Sequence, residues 1–304
     1  MKKTLLITGA TGFLGSHLTK HFLKLGYQIG ILKRSFSKID RLSDVLDQLI
    51  SYDIDKCNLS QPFLDLGKID AVIHTATEYG RQSKSASLVA NSNTFFPLSL
   101  IEEAINNNVR VFINTDTYFN KWEIPYRGLA NYSLSKKHFL DWGKYLANSD
   151  RICFANICLE HLYGQHDDSS KFTTYLIQNC LKNVSHIDLT EGRQTRDYIY
   201  IDDAVDAFDK VLNAIEGARY REYQLGTGKL TSVREFAEYV KLLTNSNTIL
   251  EFGARPYQDF EIMESKANNL SLLTLGWEHK FGLQQGLQRT IEYEANLENI
   301  SIRH

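Results

Sequence analysis

Cysteine is scarce in this chain, with four copies in 304 residues. The four, Cys57, Cys153, Cys158 and Cys180, form no C-x-x-C pair and have no histidines at the spacing of zinc ligands. We therefore expect no metal site. Buried thiols in a reducing compartment fit this pattern better than disulfides.

Long apolar runs and blocks of one charge are also lacking. No stretch approaches the roughly 20 apolar residues that span a bilayer, and the apolar run after Lys2 and Lys3 is too short for a secretory signal. A net charge of -2 without a Lys/Arg block argues against nucleic acid or an anionic membrane as the main partner. We expect a cytoplasmic protein with a small-molecule ligand.

Short apolar runs alternate with helical patterns in the first half of the chain. This alternation predicts a Rossmann-like, doubly wound parallel α/β sheet with helices on both faces. The predicted strands are 4–8, 28–32, 71–76, 109–114 and 151–157, and the predicted helices are 13–26, 84–107 and 132–147.

The second half is less regular and predicts a smaller α/β region. Two segments, 185–190 and 248–253, are expected to form a small separate sheet. The other predicted elements are strands at 196–201 and 222–228 and helices at 202–215 and 232–243.

Three glycines, Gly9, Gly12 and Gly15, follow the first predicted strand and open the first predicted helix. This context is typical of a dinucleotide-binding turn, in which glycines let backbone N–H groups approach a pyrophosphate at a helix N-terminus. The intervening Thr11, Phe13 and Leu14 belong to the same predicted cofactor site. The alternative is a glycine-rich turn without a ligand.

Cofactor preference is read at the end of the second strand, where NAD-binding proteins place an acidic residue. Here the chain has Lys33 and Arg34 and no acid. Because a 2'-phosphate carries more charge than one lysine neutralises, these two cations favour NADP(H). The alternative is a pair of solvated surface charges.

A Y-x-x-x-K pattern places Tyr132 and Lys136 on one face of the helix predicted at 132–147. Positive charge beside a phenol favours the phenolate, so the pair predicts acid–base chemistry. A hydroxyl is expected at the end of the preceding strand to hold the substrate oxygen. We prefer Thr115 and keep Thr117 as the alternative, and a plain surface Tyr–Lys pair remains the non-catalytic interpretation.

The ordered motifs resemble the extended, or atypical, short-chain dehydrogenases/reductases of the NAD(P)-dependent epimerase/dehydratase family, which act on nucleotide-linked sugars. A narrower resemblance is to the 4-ketoreductases that make 3,6-dideoxyhexoses, the group of the CDP-abequose and CDP-paratose synthases. The motifs that carry both are TGATGFLG, HTATEYG, INTDTYF, YSLSK, LEHLYG, RQTRDYIYIDDAVDAF and EYQLGTG.

This resemblance implies further site residues. Asn58 and Leu59 take the place of residues beside the adenine, although the family more often has Asp at position 58. The implied cofactor contacts after the fourth predicted strand and in the following helix are Thr75, Ala76, Thr77 and Asn93.

The resemblance also implies residues that contact the substrate. His161 would border the sugar, Arg196 would hold the diphosphate, and Lys171 and Phe172 would cover the base and sugar, with Thr117 nearby. The alternatives are a hydrogen-bonded core histidine, a salt-bridged strand arginine and a solvated lysine. Cys158 departs from the family, in which many members have Arg, so a polar contact there is absent or replaced.

The resemblance further implies a homodimer through the helices at 84–107 and 132–147. It implies a cofactor domain over 1–165, to which 196–228 returns, and a nucleotide-sugar domain over 166–304. The expected reaction is NADPH-dependent reduction of the C4 ketone of a CDP- or dTDP-linked 4-keto-6-deoxy or 4-keto-3,6-dideoxy sugar. Dehydration is disfavoured because Thr115-Asp116-Thr117 lacks one carboxylate of the family's Thr-Asp-Glu triplet. A nucleotide-sugar epimerase and a catalytically silent NADP-binding regulator remain the alternatives.

Overall fold

The computed structural model of the chain describes residues 2–81, 85–121, 127–215, 217 and 219–301, without side chains at 298–301. Its strands are β1 Thr4–Thr8, β2 Gln28–Lys33, β3 Ile50–Asp53, β4 Ala71–His74, β5 Val111–Thr117, β6 Cys153–Leu159, β7 His161–Tyr163, β8 His186–Leu189, β9 Thr195–Arg196, β10 Tyr198–Tyr200, β11 Tyr220–Leu225, β12 Thr231–Ser232, β13 Ile249–Phe252 and β14 Glu264–Ser265.

The described helices are α1 Phe13–Lys24, α2 Gln61–Leu66, α3 Ala86–Ala90, α4 Phe96–Asn106, α5 Ala130–Asn148, α6 Phe172–Leu181, α7 Ile201–Ala214, α8 Val233–Leu243, α9 Leu270–Leu273 and α10 Leu283–Ser301. A π-helical turn, Asn91–Phe95, joins α3 to α4. Within the described ranges, no helix is both long and apolar enough to cross a membrane.

The chain divides into two compact units. The first comprises Met1–Leu159, Val205–Gln224 and Thr274–Gly276, and the second comprises Glu160–Ala204, Leu225–Leu273 and Trp277–His304.

The first unit is built on a seven-stranded sheet in the order β11-β6-β5-β4-β1-β2-β3. Strand β1 runs parallel to both neighbours, with Thr8 opposite Leu32 on β2 and His74 on β4. All five residues of β1 are buried, as expected for a parallel strand covered on both faces. The predicted Rossmann-like sheet is confirmed.

Several predicted elements differ from the structure. Strand β3 was not predicted, because only Tyr52 of its four residues is buried and the edge strand shows no apolar run. The predicted helix 84–107 is interrupted by the π-helical turn, and residue 84 lies outside the described residues.

The strand predicted at 196–201 is wrong as a single element. Arg196 ends β9 and Tyr198 begins β10, and the two strands belong to different sheets. Asp197 between them is buried, and its carboxylate accepts the backbone N–H groups of Thr227, Gly228 and Ala267 at 2.8, 2.8 and 3.2 Å. These bonds hold the chain at the point where the two strands separate.

The second unit contains three small sheets. The predicted pairing of 185–190 with 248–253 is confirmed, since β8 and β13 form a two-stranded parallel sheet. The other two sheets are β12-β9-β14 and β10-β7. Trp277 is fully buried in this unit, and its Nε1 donates to the carbonyl oxygen of Asp203 at 3.0 Å.

Candidate active site

The glycine turn lies directly between β1 and α1. Gly9 has a φ of +67°, and a Cβ there would lie 2.5 Å from the backbone nitrogen of Ala76. A Cβ on Gly15 would overlap the carbonyl oxygen of Gly9. The Gly12 N–H donates to the Gly9 carbonyl at 2.9 Å, and the Ser16 N–H donates to the Gly12 carbonyl at 3.0 Å. The N–H groups of residues 13–15 lie in the first turn of α1, where an α-helix provides no acceptor. This turn fits a pyrophosphate.

The end of β2 carries the predicted cofactor-selecting cations. Lys33 is the last residue of β2 and is half-buried. Arg34 is exposed, and its Nε donates to Oδ1 of Asp55 at 2.6 Å. The other carboxylate oxygen of Asp55 accepts the Ser35 N–H at 2.8 Å. Arg34 is therefore a surface cation that is held in place by an acid.

The predicted adenine-side residues lie between β3 and α2. Asn58 is exposed, and its carbonyl accepts the N–H of Gln61 at 3.0 Å. Leu59 is half-buried and packs against the apolar cluster around Phe63 and Ile69. The structure thus places this pair at the start of α2.

Helix α5 carries Tyr132 and Lys136 one turn apart, and both side chains are buried. The Lys136 ammonium donates to the carbonyl oxygen of Thr115 at 2.6 Å and lies 5.9 Å from the centre of the Tyr132 ring. The Tyr132 hydroxyl is hydrogen-bonded to the Thr117 side chain. The structure therefore brings the phenol, the ammonium and the strand-end threonines together.

Aromatic rings surround Tyr132. The Tyr79 ring is stacked on it with centres 5.0 Å apart, and the Phe119 ring meets it edge-on at 6.3 Å. Burial is the main reason that the pKa of Tyr132 lies well above its usual 10, and the nearby phenol of Tyr79 raises it further. The Thr117 hydrogen bond acts in the opposite direction. In this environment Tyr132 is a protonated phenol at neutral pH.

Three further ionisable groups share this buried region. Burial lowers the pKa of Lys136, while the charge of Asp116 opposes that change. Burial raises the pKa of Asp116, opposed by the Lys136 charge and by hydrogen bonds. The pKa of His74 is lowered to about 3 by burial and then by Lys136, so its ring is neutral at pH 7.

Asp116 joins β5 to its neighbours. Its Oδ1 accepts the Thr117 N–H and the Asn120 side-chain amide, each at 2.8 Å. Its Oδ2 accepts the Asn156 amide on β6 at 3.1 Å. Cys158 lies opposite Asp116 in the strand register. A carboxylate with three donors already in place is a structural acceptor.

Asn93 connects the loop after β4 to α5. Its side-chain amide exchanges two 2.8 Å bonds with the backbone N–H and carbonyl of Glu78, and it donates to the Ser135 hydroxyl at 3.0 Å. This loop carries Tyr79, which stacks on Tyr132. The described contacts of Asn93 are thus to protein groups that position the active-site wall.

Two threonine hydroxyls are buried without a hydrogen-bond partner among the described residues. In the described part of the chain, Thr77 Oγ1 and Thr115 Oγ1 have no hydrogen-bond partner, although both atoms are out of contact with solvent. Thr75, by contrast, donates to the carbonyl of Thr8 at 2.7 Å, and the Ala76 N–H donates to the Thr8 hydroxyl at 3.3 Å. Because unpaired buried hydroxyls are costly, Thr77 and Thr115 are suited to a polar group of a bound cofactor or substrate.

Of the predicted substrate residues, Thr117 ends β5 in the first unit, and His161, Lys171, Phe172 and Arg196 belong to the second unit. Arg196 is buried, and its Nη2 forms an ion pair with Glu261 Oε1 at 2.5 Å. His161, on β7, packs edge-on against Tyr198 at 5.8 Å. Lys171 occupies the N-cap position of α6 without a side-chain capping bond, and the Phe172 side chain that follows it is 38% exposed.

The sequence interpretation missed three residues that contact predicted site residues, each within its own unit. Tyr79 lies inside the HTATEYG motif, but no pattern indicates that its ring stacks on Tyr132. Glu261 begins the stretch EIM, but no spacing in the sequence pairs it with Arg196, so this ion pair emerges only in three dimensions. Arg41 lies seven residues beyond Arg34, and its guanidinium donates to the carbonyl of Thr11 at 3.4 Å; a third cation after β2 was the available signal.

Comparisons with known proteins identify the family. The model of the NAD dependent epimerase/dehydratase family matches residues 5–226. CDP-abequose synthase of Salmonella muenchen is 36% identical over 293 residues, which cover 96% of this chain and 98% of that protein. The enzyme of the same name from Salmonella typhimurium is 35% identical over 295 residues, with the same coverage.

Solved structures share the fold. The UDP-glucose 4-epimerase of Thermotoga maritima, crystallised with UDP-glucose, matches with a TM-score of 0.84 at 21% identity, over 97% of this chain and 99% of that one. The UDP-glucose 4-epimerase of Thermus thermophilus, in complex with NAD, matches with a TM-score of 0.80 at 19% identity. The resemblance inferred from the motifs is thereby confirmed, and the chain belongs to the NAD dependent epimerase/dehydratase family.

Proposed function

We propose that the protein is an NADPH-dependent 4-ketoreductase that acts on a CDP-linked 4-keto-3,6-dideoxy sugar in O-antigen or other surface-polysaccharide synthesis. The observation that carries this proposal is the similarity, over 96% of the chain, to two proteins named CDP-abequose synthase. The buried Tyr132–Lys136 pair beside Thr115 and Thr117 supports it independently.

The chain's own residues can deliver a proton to the C4 oxygen. When bound, NADPH supplies the hydride for the carbonyl carbon. Tyr132 is the acid that gives its hydroxyl proton to the oxygen, and its raised pKa keeps that proton in place at neutral pH. Thr117 is hydrogen-bonded to the phenol, and Thr115 offers a second hydroxyl for the same oxygen. Donors fixed in advance at that oxygen stabilise its developing negative charge.

Lys136 acts through position and charge. Its ammonium is hydrogen-bonded to the Thr115 carbonyl and lies 5.9 Å from the centre of the Tyr132 ring. As the proton leaves the phenol, a positive charge at this distance stabilises the phenolate that forms. We assign Lys136 the further task of binding the cofactor ribose.

Reduction is favoured over dehydration by the contacts of Asp116. A dehydratase needs a free acid and a free base beside its threonine. Asp116 already accepts three hydrogen bonds, and Thr117 stands in place of the second carboxylate. Among the described residues Tyr132 is the proposed acid for the ketone oxygen, and net reduction of a ketone requires one such acid.

NADP(H) rather than NAD(H) is proposed because β2 ends in Lys33 and is followed by Arg34. The glycine turn, with Thr11, Phe13, Leu14 and Gly15, is proposed to bind the pyrophosphate. We retain as proposals the adenine-side, nicotinamide-side and substrate contacts of Asn58, Leu59, Thr75, Ala76, Thr77, Asn93, His161, Lys171, Phe172 and Arg196.

We propose a cytoplasmic homodimer. The π-helical turn and α5 expose large apolar side chains, among them Phe95 at 59% and Tyr145 at 66%. Trp142 on α5 is also half-exposed and packs edge-on against Tyr145. Covering such side chains with a second copy would remove apolar surface from water.

Turnover with defined substrates tests the function. The purified protein is incubated with NADPH and CDP-4-keto-3,6-dideoxyglucose, with its dTDP-linked 4-keto-6-deoxy counterpart in a parallel assay, and the loss of NADPH absorbance is followed. We expect stoichiometric oxidation of NADPH with the CDP sugar and a lower kcat/KM with the dTDP sugar.

Other outcomes identify the alternatives. An epimerase would interconvert sugars without net oxidation of NADPH and would retain cofactor through purification. A silent regulator would bind NADPH and turn over neither sugar. Either result would overturn the reductase proposal.

A further inference from the structure

The ring of Tyr79 covers one face of the proposed proton donor. Its centre lies 5.0 Å from the centre of the Tyr132 ring, and the two planes are inclined by 29°, which is a stacked arrangement. Phe119 meets the Tyr132 ring edge-on, with the centres 6.3 Å apart. Aromatic pairs at such distances attract each other beyond the effect of burial alone. The phenol ring of Tyr132 is therefore held by a neighbour on its face and by a second one at its edge.

The backbone on both sides of Tyr79 is fixed. The preceding residue, Glu78, exchanges two 2.8 Å hydrogen bonds through its backbone with the side chain of Asn93. The following residue, Gly80, has a φ of +68° and donates its N–H to the Glu78 carboxylate at 3.0 Å. A Cβ on Gly80 would lie 3.0 Å from a methyl carbon of Val89. Although Tyr79 lies in a loop, its backbone has little freedom.

The same network reaches the backbone of Tyr132. The Asn93 amide donates to the Ser135 hydroxyl at 3.0 Å, and that hydroxyl donates to the carbonyl oxygen of Tyr132 at 2.9 Å. Asn93, Ser135 and Tyr132 are all buried. Because buried hydrogen-bond networks are costly to break, they hold the loop of Tyr79 and the first turn of α5 in a fixed relative position.

The orientation of the phenol matters for proton transfer. The Tyr132 hydroxyl is hydrogen-bonded to Thr117. One hydrogen bond fixes the distance between two atoms but leaves the ring behind the hydroxyl free to tilt. The stacked ring of Tyr79 blocks tilting toward its own side. A displacement of about 1 Å at a reacting group can lower a rate about 10²-fold, so this restriction has a measurable consequence.

We propose that Tyr79 is a positioning residue, whose ring holds the phenol of Tyr132 in the orientation from which its proton reaches the substrate oxygen. This inference rests on the proposed function, in which Tyr132 is the acid of a 4-ketoreductase. Tyr79 acts through its ring and not through its hydroxyl. Phenylalanine should therefore replace it, and leucine should not.

The test asks whether Tyr79 acts through Tyr132. Tyr79→Leu removes the aromatic ring, Tyr79→Phe keeps it, and Tyr79→Leu is also combined with Tyr132→Phe. The matched control, Tyr239→Leu, makes the same exchange at an exposed position of α8. The measurements are kcat and KM for CDP-4-keto-3,6-dideoxyglucose, the dissociation constant of NADPH and the melting temperature, which verifies that each variant is folded.

We expect Tyr79→Leu to lower kcat about 10- to 100-fold. KM and NADPH affinity should stay within about threefold, because binding is not what the ring supports. Tyr79→Phe should restore kcat to within about threefold of wild type. In the Tyr132→Phe background, Tyr79→Leu should change the residual kcat little, because the side chain that it positions no longer carries the proton. Tyr239→Leu should resemble wild type.

A spectroscopic measurement does not depend on turnover. In protein labelled with ¹³C at the tyrosine rings, the Tyr132 resonance is identified by its absence from Tyr132→Phe. Tyr79→Leu should shift this resonance, because the ring current of the stacked neighbour is lost. Tyr79→Phe should leave it near its wild-type position.

Four results would decide against a part of this account. Additive losses in the double variant would mean that Tyr79 contacts the substrate independently of Tyr132 and would overturn the inference. Tyr79→Phe as slow as Tyr79→Leu would assign the effect to the hydroxyl and overturn it as well. Wild-type kcat in Tyr79→Leu would remove Tyr79 from the reaction. A wild-type protein without turnover would refute the reaction instead, and the Tyr132 resonance alone would then decide whether Tyr79 positions the phenol.

Discussion

Tyr132 is the side chain whose loss should separate chemistry from binding. Its hydroxyl is the proposed proton donor, whereas its ring packs against Tyr79 and Phe119. Tyr132→Phe keeps the ring and removes the proton, so we expect kcat to fall about 10²- to 10⁴-fold. NADPH affinity should be little changed. Steady-state assays and NADPH titration measure the two effects.

The exposed Tyr145 on the same helix provides the control. Tyr145→Phe removes a hydroxyl from a side chain that is 66% exposed, and kcat should stay near the wild-type value. A Tyr132→Phe enzyme with wild-type kcat would remove the phenol from the mechanism.

His74 should make the stability of the protein depend on pH. Its pKa is lowered from 6.5 to about 3 by burial and by Lys136. Between pH 6.5 and pH 3 the His74 ring is therefore protonated in the unfolded chain and neutral in the native protein. The free energy of unfolding should therefore fall as pH falls from 6.5 toward 3, by up to about 1.4 kcal/mol per pH unit. Urea denaturation at pH 6.5 and pH 5 measures this slope.

Substitution isolates the contribution of His74 from that of the carboxylates. In His74→Asn the difference in unfolding free energy between the two pH values should shrink, because position 74 no longer titrates. His138→Asn, at an exposed position on α5, should leave the difference unchanged. Identical slopes in all three proteins would contradict the prediction.

The proximity of Tyr132 and Lys136 was predictable from sequence, while the choice between the threonines was not. The spacing of four residues on a helix that follows a predicted strand places both side chains on one face. Thr115 and Thr117 alternate with Asp116 along a strand, so both point to the same face and no pattern ranks them. In the structure Thr117 contacts the phenol, and Thr115 anchors Lys136 through its carbonyl while its hydroxyl stays unpaired within the described residues.

Helix α5 approaches β6 closely because Gly143 has no side chain. A Cβ at this position would overlap the ring of Phe154. That ring is buried and is held between Phe112 at 5.9 Å and Tyr220 at 6.2 Å, so it has little room to move. The contact fixes the helix that carries Tyr132 and Lys136.

We expect Gly143→Ala to lower the free energy of unfolding by about 1–3 kcal/mol, because the inserted methyl overpacks the core. It should also reduce kcat by displacing Tyr132. Gly282→Ala is the matched control, since a Cβ there meets no atom within 4 Å and should change stability by less than about 0.5 kcal/mol. Urea denaturation of both variants measures the effect, and equal stabilities would contradict it.

The regular elements of the sheet followed from apolar runs, and the irregular ones did not. Strand β1 has the predicted bounds because every residue in it is buried. Strand β5 extends to Thr117, beyond the predicted end at 114, because its last residues are polar yet buried. Helices α6 and α10 were not predicted at all, since their apolar positions are interrupted by polar residues that pair within the second unit, such as Gln178 with Glu294 at 2.8 Å.

The association state can be tested with charge substitutions on the exposed apolar faces. Phe95→Glu places a carboxylate at the centre of the proposed interface, and burial of that charge would be costly. We expect wild type to sediment as a dimer and Phe95→Glu to sediment as a monomer. The thermal unfolding of Phe95→Glu should stay as cooperative as that of wild type. The side chain of Leu242, on α8, is 70% exposed. Leu242→Glu should leave the dimer intact. Sedimentation of wild type as a monomer would contradict the prediction.

The π-helical turn at Asn91–Phe95 changes which side chains of the following helix face the core of the first unit. One residue more than an α-helix needs rotates everything after it by about 100° around the helix axis. The turn therefore lets Asn93 form hydrogen bonds with the loop of Tyr79 and with α5, while Leu100 and Ile101 in α4 still pack in the core. Deleting a single residue here would make the helix continuous. Either Asn93 would lose its contacts with the loop of Tyr79, or Leu100 and Ile101 would leave the core.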